Sequence, residues 1–196
     1  MRVPADERRR ALIQAAIEVV AEQGVDGATT RRIAERAGSP LARLHYCFSS
    51  KEELIVAIFE SLARDQFGTA VHVRPGVGLG RAAASVLRQL AAWIDREPTF
   101  ARAQVELVFW IARQKDSMAS KVYQMAIDVF AERLREGMRD DDDPNLVELF
   151  AKMIAAYCDG MVVQGVAFGH NGIREELLDT TAESFERLAE AHRLAH

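Results

Sequence analysis

The sequence predicts an all-α fold of about nine helices, on three observations. Apolar residues recur with a period near 3.6 along almost the whole chain, and few stretches alternate with a period of two. Short apolar runs such as 105–111 sit inside those longer patterns. Glycine, proline and capping residues cut the chain into helix-sized segments. The balance of 49% hydrophobic and 28% charged residues supports a packed core and excludes a disordered chain.

The first helix is expected over residues 6–23, with Leu12, Ile13, Ala16, Val19 and Val20 on one stripe and Gly24 ending it. A second begins after Thr29 or Thr30, both good N-caps, and stops at Gly38. Ser39-Pro40 reads as a cap followed by a first-turn proline, so a short third helix is expected over 40–47. Two overlapping capping boxes, Ser49 with Glu52 and Ser50 with Glu53, open a fourth helix that continues to about residue 70. Residues 74–80 form the clearest break. Further helices follow over about 81–96, 97–114, 117–138, 144–168 and 173–194. The run Asp140–Asp143 and Pro144 separates two of them, with Asp143 as cap, and residues 169–172 separate the last pair.

No segment approaches the roughly 18 uninterrupted apolar residues of a membrane span. The first ten residues are charged and lack the apolar core of a signal peptide, so a cytoplasmic location is expected. Cys47 and Cys158 show no metal-binding or redox spacing, and no disulfide is expected between them. The net charge of −4 is unevenly spread: residues 1–51 carry +3 and the rest −7. A basic end on an acidic body still presents a positive face to phosphate.

Three short helices with a tight turn between the second and third describe a helix-turn-helix. The turn needs a residue tolerant of positive φ, which Gly38 supplies, and Ile33, Ala34, Ala37 and Leu44 are small or branched enough for close packing. Thr29-Thr30-Arg31-Arg32-Ile33-Ala34-Glu35-Arg36-Ala37-Gly38, then Leu44, Phe48 and Ser50-Lys51-Glu52-Glu53-Leu54, resembles the signature of TetR-family (tetracycline-repressor-like) regulators. The end of the first helix, Ala21-Glu22-Gln23-Gly24, also fits, and the motif covers about residues 8–60.

The resemblance implies a helix-turn-helix DNA-binding domain over 1–50 and a helical effector-binding and dimerisation domain over 51–196. It implies that Thr30 caps the second helix and touches a phosphate, that Arg31 meets a base or a phosphate, and that Lys51 clamps a phosphate. The exposed face of the third helix would read bases through Leu41, Ala42, Arg43 and Tyr46, with Arg43 suited to a bidentate guanine contact. This chain departs from the family along that helix at Pro40, Ala42, His45 and Cys47. His45 stands where the family has tyrosine, and replaces it as a phosphate donor.

The last two helices are the expected dimer surface, through Tyr157, Met161, Gly165, Phe168, Leu178, Thr181, Phe185, Leu188 and His192; Gly160 and Gly165 would allow close approach. The resemblance also implies an effector pocket, for which Phe67, Trp93, Phe100, Gln104, Leu107, Trp110, Tyr123, Met125, Tyr157 and Met161 are the lining candidates. The partners expected are double-stranded operator DNA, a small and largely apolar effector and a second copy of the chain. No cofactor, metal or catalytic residue is expected.

Two other classes fit less well. A bundle enzyme would need a catalytic or metal constellation. The chain has no HExxH and no Glu-x-x-His pairs, its histidines (His45, His72, His170, His192, His196) are scattered, and Pro144 marks the aspartate run as a loop. An adaptor that turns the helix-turn-helix towards protein is opposed by the basic head and the capped recognition helix.

Overall fold

The structure is a computed structural model. It describes residues 5–113, 118–168 and 173–193, apart from the side chains of residues 5, 65–67, 118, 119, 166, 173 and 174. The pocket candidate Phe67 and the expected break at 169–172 therefore lie outside the described side chains and residues. Among the described residues there are nine helices and no strand: α1 Ala5–Gly27, α2 Thr30–Arg36, α3 Leu41–Cys47, α4 Lys51–Glu60, α5 Leu79–Arg96, α6 Pro98–Ala112, α7 Met118–Gly137, α8 Leu146–Phe168 and α9 Ile173–Ala191. α4 runs on through a wider π-helical segment, Ser61–Phe67, into a last α-turn, Gly68–Ala70. No helix among the described residues is long and apolar enough to cross a membrane.

By packing, the chain divides into two compact units, residues 1–62 with 97–123 and residues 63–96 with 124–196. This differs from the division at residue 50. So short a stretch of chain as α1–α3 buries too little apolar surface to stand alone, and the first unit also takes in α4 and α6. Leu12, Ile17, Ile33, Leu44, Phe48, Leu54 and Ile58 share one core with Ala103, Leu107, Trp110 and Ile111. α1 is the spine of this unit, contacting α2, α4 and α6. Its straight course ends at Gly24 (φ 70°), and one further turn carries the chain to Gly27.

In the second unit α5 packs against both α8 and α9. The close approach of α5 to α9 depends on Gly80, where a Cβ would stand 2.7 Å from the Glu186 Cα and 2.9 Å from the Ala189 Cβ. Phe150 of α8 meets Phe185 of α9 edge-on, with ring centroids 4.8 Å apart. The aspartate run builds turns and caps. Asp142, buried, accepts the backbone N–H of Leu79 at 2.7 Å and that of Arg139 at 2.8 Å. Asp143 accepts the N–H of Asn145 at 2.9 Å, an Asx turn that leads into α8; the helix itself starts at Leu146 and not at Pro144, so Asp143 stands ahead of the cap position expected of it.

Candidate nucleic-acid interface

The turn between α2 and α3 follows from its residues. Thr29 is extended, and its hydroxyl accepts the N–H of Arg32 at 3.3 Å, so Thr29 rather than Thr30 is the N-cap of α2. At the other end Gly38 takes φ 57°. Its N–H reaches the Glu35 carbonyl at 3.1 Å, while the Ser39 N–H reaches the Ala34 carbonyl at 2.9 Å. That pair of bonds is a Schellman closure, and it needs the left-handed residue that glycine supplies without a Cβ penalty. Ser39 is spent as the last residue of this turn. It does not cap α3; its Oγ is buried without a hydrogen-bond partner among the described residues, and Pro40 holds the cap position with no side-chain bond.

The arginines of α2 divide by role. Arg32 donates to the Gly27 carbonyl at 2.9 Å and so fastens the α1–α2 connection. Arg36 reaches back to Glu18 and Glu22 on α1. Its hydrogen bonds hold the Glu22 carboxyl below its ordinary range and raise the guanidinium's own pKa. Arg31 points outward, 81% exposed, and pairs only with Glu35 one turn on at 2.9 Å. An exposed i,i+4 pair of that kind holds by about 0.3–0.5 kcal/mol, so a phosphate or base edge displaces it at little cost.

α3 is two-faced. Leu44, 1% exposed, anchors it to the core, a burial worth about 1.5–3 kcal/mol. Leu41, Ala42, Arg43, His45 and Tyr46 are exposed, Tyr46 to 91%. Arg43 and His45 make no hydrogen bond or ion pair among the described residues. Five of the residues expected at the DNA surface thus stand together on one short rod. Arg31 is exposed on the neighbouring helix and Thr30 is half-buried there.

Lys51 is placed differently. Its half-buried ammonium donates to the Val25 carbonyl at 2.7 Å and lies 5.7 Å from the centroid of the Trp110 ring. Trp110 in turn donates its indole N–H to Asp26 at 3.0 Å. The start of α4 is capped by Ser50, whose hydroxyl accepts the Glu53 N–H at 3.1 Å. The Glu53 carboxylate accepts from both the hydroxyl and the N–H of Ser49, which hold it below the usual carboxylate range. Of the two capping boxes the sequence offers, the second forms by half: Ser50 accepts the Glu53 N–H, but the Glu53 carboxylate returns to Ser49 and not to the Ser50 N–H. Arg9 lies over the Phe48 ring at 4.9 Å. No periodicity or motif announces the Arg9 and Asp26 contacts, because each depends on where a distant segment comes to rest.

Residues 12–58 match the family model described as bacterial regulatory proteins, tetR family. The chain is 30% identical over 161 residues to the HTH-type transcriptional regulator BetI of Rhizobium meliloti strain 1021, an alignment spanning 80% of this chain and 77% of that one. The chain belongs to the TetR family. It is also 28% identical over 190 residues to the nicotine-responsive transcriptional repressor HdnoR of Paenarthrobacter nicotinovorans, covering 81% of this chain and 98% of that protein. Among solved structures, a TetR-family member from Streptomyces coelicolor A3 superposes with a TM-score of 0.68 at 24% identity, over 93% of this chain and 98% of that one. The multidrug-binding protein EbrR, solved with ethidium, gives 0.67 at 24% identity over 93% and 98%. The protein is accordingly a TetR-fold, DNA-binding transcriptional regulator, and its helix-turn-helix is α2–α3.

The residues expected to line an effector pocket in this TetR-family protein are shared between its units. Phe100, Gln104, Leu107, Trp110 and Tyr123 belong to the first, and Trp93, Met125, Tyr157 and Met161 to the second. Leu107 and Trp110 lie in the core of the DNA-binding unit, where the Trp110 indole is already engaged by Asp26. A cleft of about 110 Å³ in the second unit is lined instead by charged residues, among them Arg81, Arg139, Arg193, Asp142, Glu186 and Glu190. None of the expected pocket residues lines it.

The dimer expectation needs correction at two residues. Phe185 is fully buried against Phe150, and Met161 is 5% exposed, so both fill the subunit's own core. α8 turns a face adjacent to Met161 outward. Its outward stripe is Leu149, Ala156, Gly160, Val163 and Ala167, with the 74% exposed Phe168 at its end. Tyr157, Gly165, Leu178, Thr181 and Leu188 are half-buried and His192 is exposed.

Proposed function

We propose that this TetR-family regulator is a repressor that binds a palindromic operator as a homodimer and leaves it when a small, largely apolar effector binds. The observation that carries the reading is α3: anchored by Leu44, it offers five exposed side chains, including an arginine with no partner among the described residues. A short recognition helix of this kind enters the major groove and meets base edges with its early residues, while Arg31 and Thr30 on the crossing helix stand where phosphates run.

One seven-residue helix makes too small a contact for tight operator binding, and two-fold symmetry doubles it. The apolar outward stripe of α8 supports that assembly. It is small-residued at Ala156, Gly160 and Ala167, and its exposed side chains are uncovered by the other described residues. HdnoR is named as nicotine-responsive, which supports a small-molecule effector for this chain as well. Within the second unit Trp93, Met125, Tyr157 and Met161 remain the lining candidates. An effector that favours one spacing of the two heads changes operator affinity about 5–150-fold for a coupling of about 1–3 kcal/mol.

The test is a fluorescence-anisotropy titration of the full chain against DNA flanking its own gene at two salt concentrations. Binding that weakens steeply with salt is expected, because cations are released from the phosphates that the protein neutralises. Salt-insensitive binding, or none, overturns the DNA reading. Repeating the titration with a panel of apolar and aromatic amines tests the sensor role, which fails if every member leaves the affinity unchanged.

A further inference from the structure

Resting on α3 as the DNA-reading helix, we infer that Leu41 and Ala42 make this protein a reader of thymine methyl groups, beside a guanine met by Arg43. The first turn of α3 is Leu41, Ala42 and Arg43, all exposed. It holds no amide, hydroxyl or carboxylate, so it has nothing with which to form the paired hydrogen bonds that distinguish adenine or cytosine in the major groove. The feature of a base edge that an aliphatic side chain recognises there is the C5 methyl of thymine, and the feature that a guanidinium recognises is the O6/N7 pair of guanine.

The exposure pattern points the same way. Among the described residues of the first unit the large apolar side chains left in solvent are Leu41 (40%), Tyr46 (91%) and Phe109, and two of these three stand on α3. Leu44 anchors the rod and sets its rotation; Leu41, one turn before it, stands 40% exposed at the edge of the anchored face, while Ala42 lies on the far side. On a helix Leu41 shares a row with His45, and Ala42 with Tyr46. Ala42 therefore leaves a low place in the first turn, between Leu41 and the Tyr46 ring one turn on, with room for a methyl beside the isobutyl group. Contact with a thymine methyl removes both apolar groups from water, and each methyl buried this way is worth about a three- to fivefold change in affinity.

The experiment begins with selection of duplexes from a random library by the full-length protein. Each thymine of the selected site is then replaced by deoxyuridine, which removes the methyl and nothing else, and affinities are measured at one salt concentration. At least one thymine in each half-site is expected to lose about three- to fivefold on replacement. Leu41→Ala is expected to abolish that difference at the same position, and Arg43→Ala to preserve it while relaxing the guanine preference. Because Leu41 is exposed, Leu41→Ala is expected to keep the parent's circular dichroism and melting temperature. The proposal is overturned if deoxyuridine is tolerated throughout the site, or if Leu41→Ala retains the full thymine preference. If no duplex is selected and no salt-dependent binding is seen, the DNA reading itself has failed, a different result from tight binding that ignores the methyl.

Discussion

The ammonium of Lys51 and the carbonyl of Val25, 26 residues apart in the chain, meet at 2.7 Å in the DNA-binding unit. The bond ties the first residue of α4 to the turn that ends α1. The Trp110 ring beneath the ammonium and the Asp26 carboxylate on the indole complete the cluster. Lys51 occupies the position at which the family resemblance implies a phosphate clamp, and one of its three N–H groups is already committed to the fold.

Lys51→Met keeps the aliphatic stem and removes the donors, so the Val25 carbonyl loses its charged donor and keeps the Ala28 N–H at 3.2 Å. A destabilisation of about 1–3 kcal/mol is expected, read from urea unfolding. If Lys51 also neutralises a phosphate, the slope of log affinity against log salt falls by about one on the same substitution. A variant as stable as the parent would show that the tie has no structural weight.

The Arg36–Glu22 pair predicts a pH dependence. Arg36 hydrogen-bonds the Glu22 carboxylate and lowers its pKa from the ordinary 4.5. A carboxyl depressed in the folded state contributes stability above its unfolded pKa, and that contribution fades as the pH falls through the folded value. Glu22→Gln is therefore expected to be less stable than the parent at neutral pH, with the gap closing below pH 4.5. Thermal melts at about pH 7 and about pH 3 check this; a gap that widens on acidification contradicts it.

In the second unit Asp142 holds two backbone N–H groups from two segments, at Leu79 and at Arg139. Asp142→Ala strands both donors, the former in a buried setting, and is expected to cost about 2–4 kcal/mol. Asp142→Asn retains one acceptor oxygen and is expected to cost less. Denaturant midpoints of the two variants give the order, and equal losses would mean that the charge rather than the acceptor matters.

Two glycines separate fold from assembly. A Cβ at Gly80 collides with the α9 backbone, so Gly80→Ala is expected to destabilise the subunit by about 1–3 kcal/mol. A Cβ at Gly160 meets nothing within 4 Å. Gly160→Leu is therefore expected to leave the subunit folded and, in the proposed homodimer, to drive α8 away from its twin. Light scattering after size exclusion should then show monomer at concentrations where the parent is a dimer. A Gly160→Leu protein that stays dimeric places the interface elsewhere.

The residues themselves announced the helices and the helix-turn-helix, since both depend on local physics. Period, caps and breakers act within a few residues, so α2, α3 and the Gly38 turn could be read directly. So could the exposed row on α3, because the motif marks Leu44 as the packing position among its seven residues. Packing between distant segments was beyond such reading. That α6 belongs with the DNA-binding helices, that Trp110 serves the head's core, that Lys51 is held by Val25, and that α8 turns Leu149 and Val163 rather than Met161 outward all depend on which surfaces meet. A helical stripe about 100° wide or more tells that a helix has an inside, but two neighbouring apolar rows compete for it, and burial against a partner chooses between them.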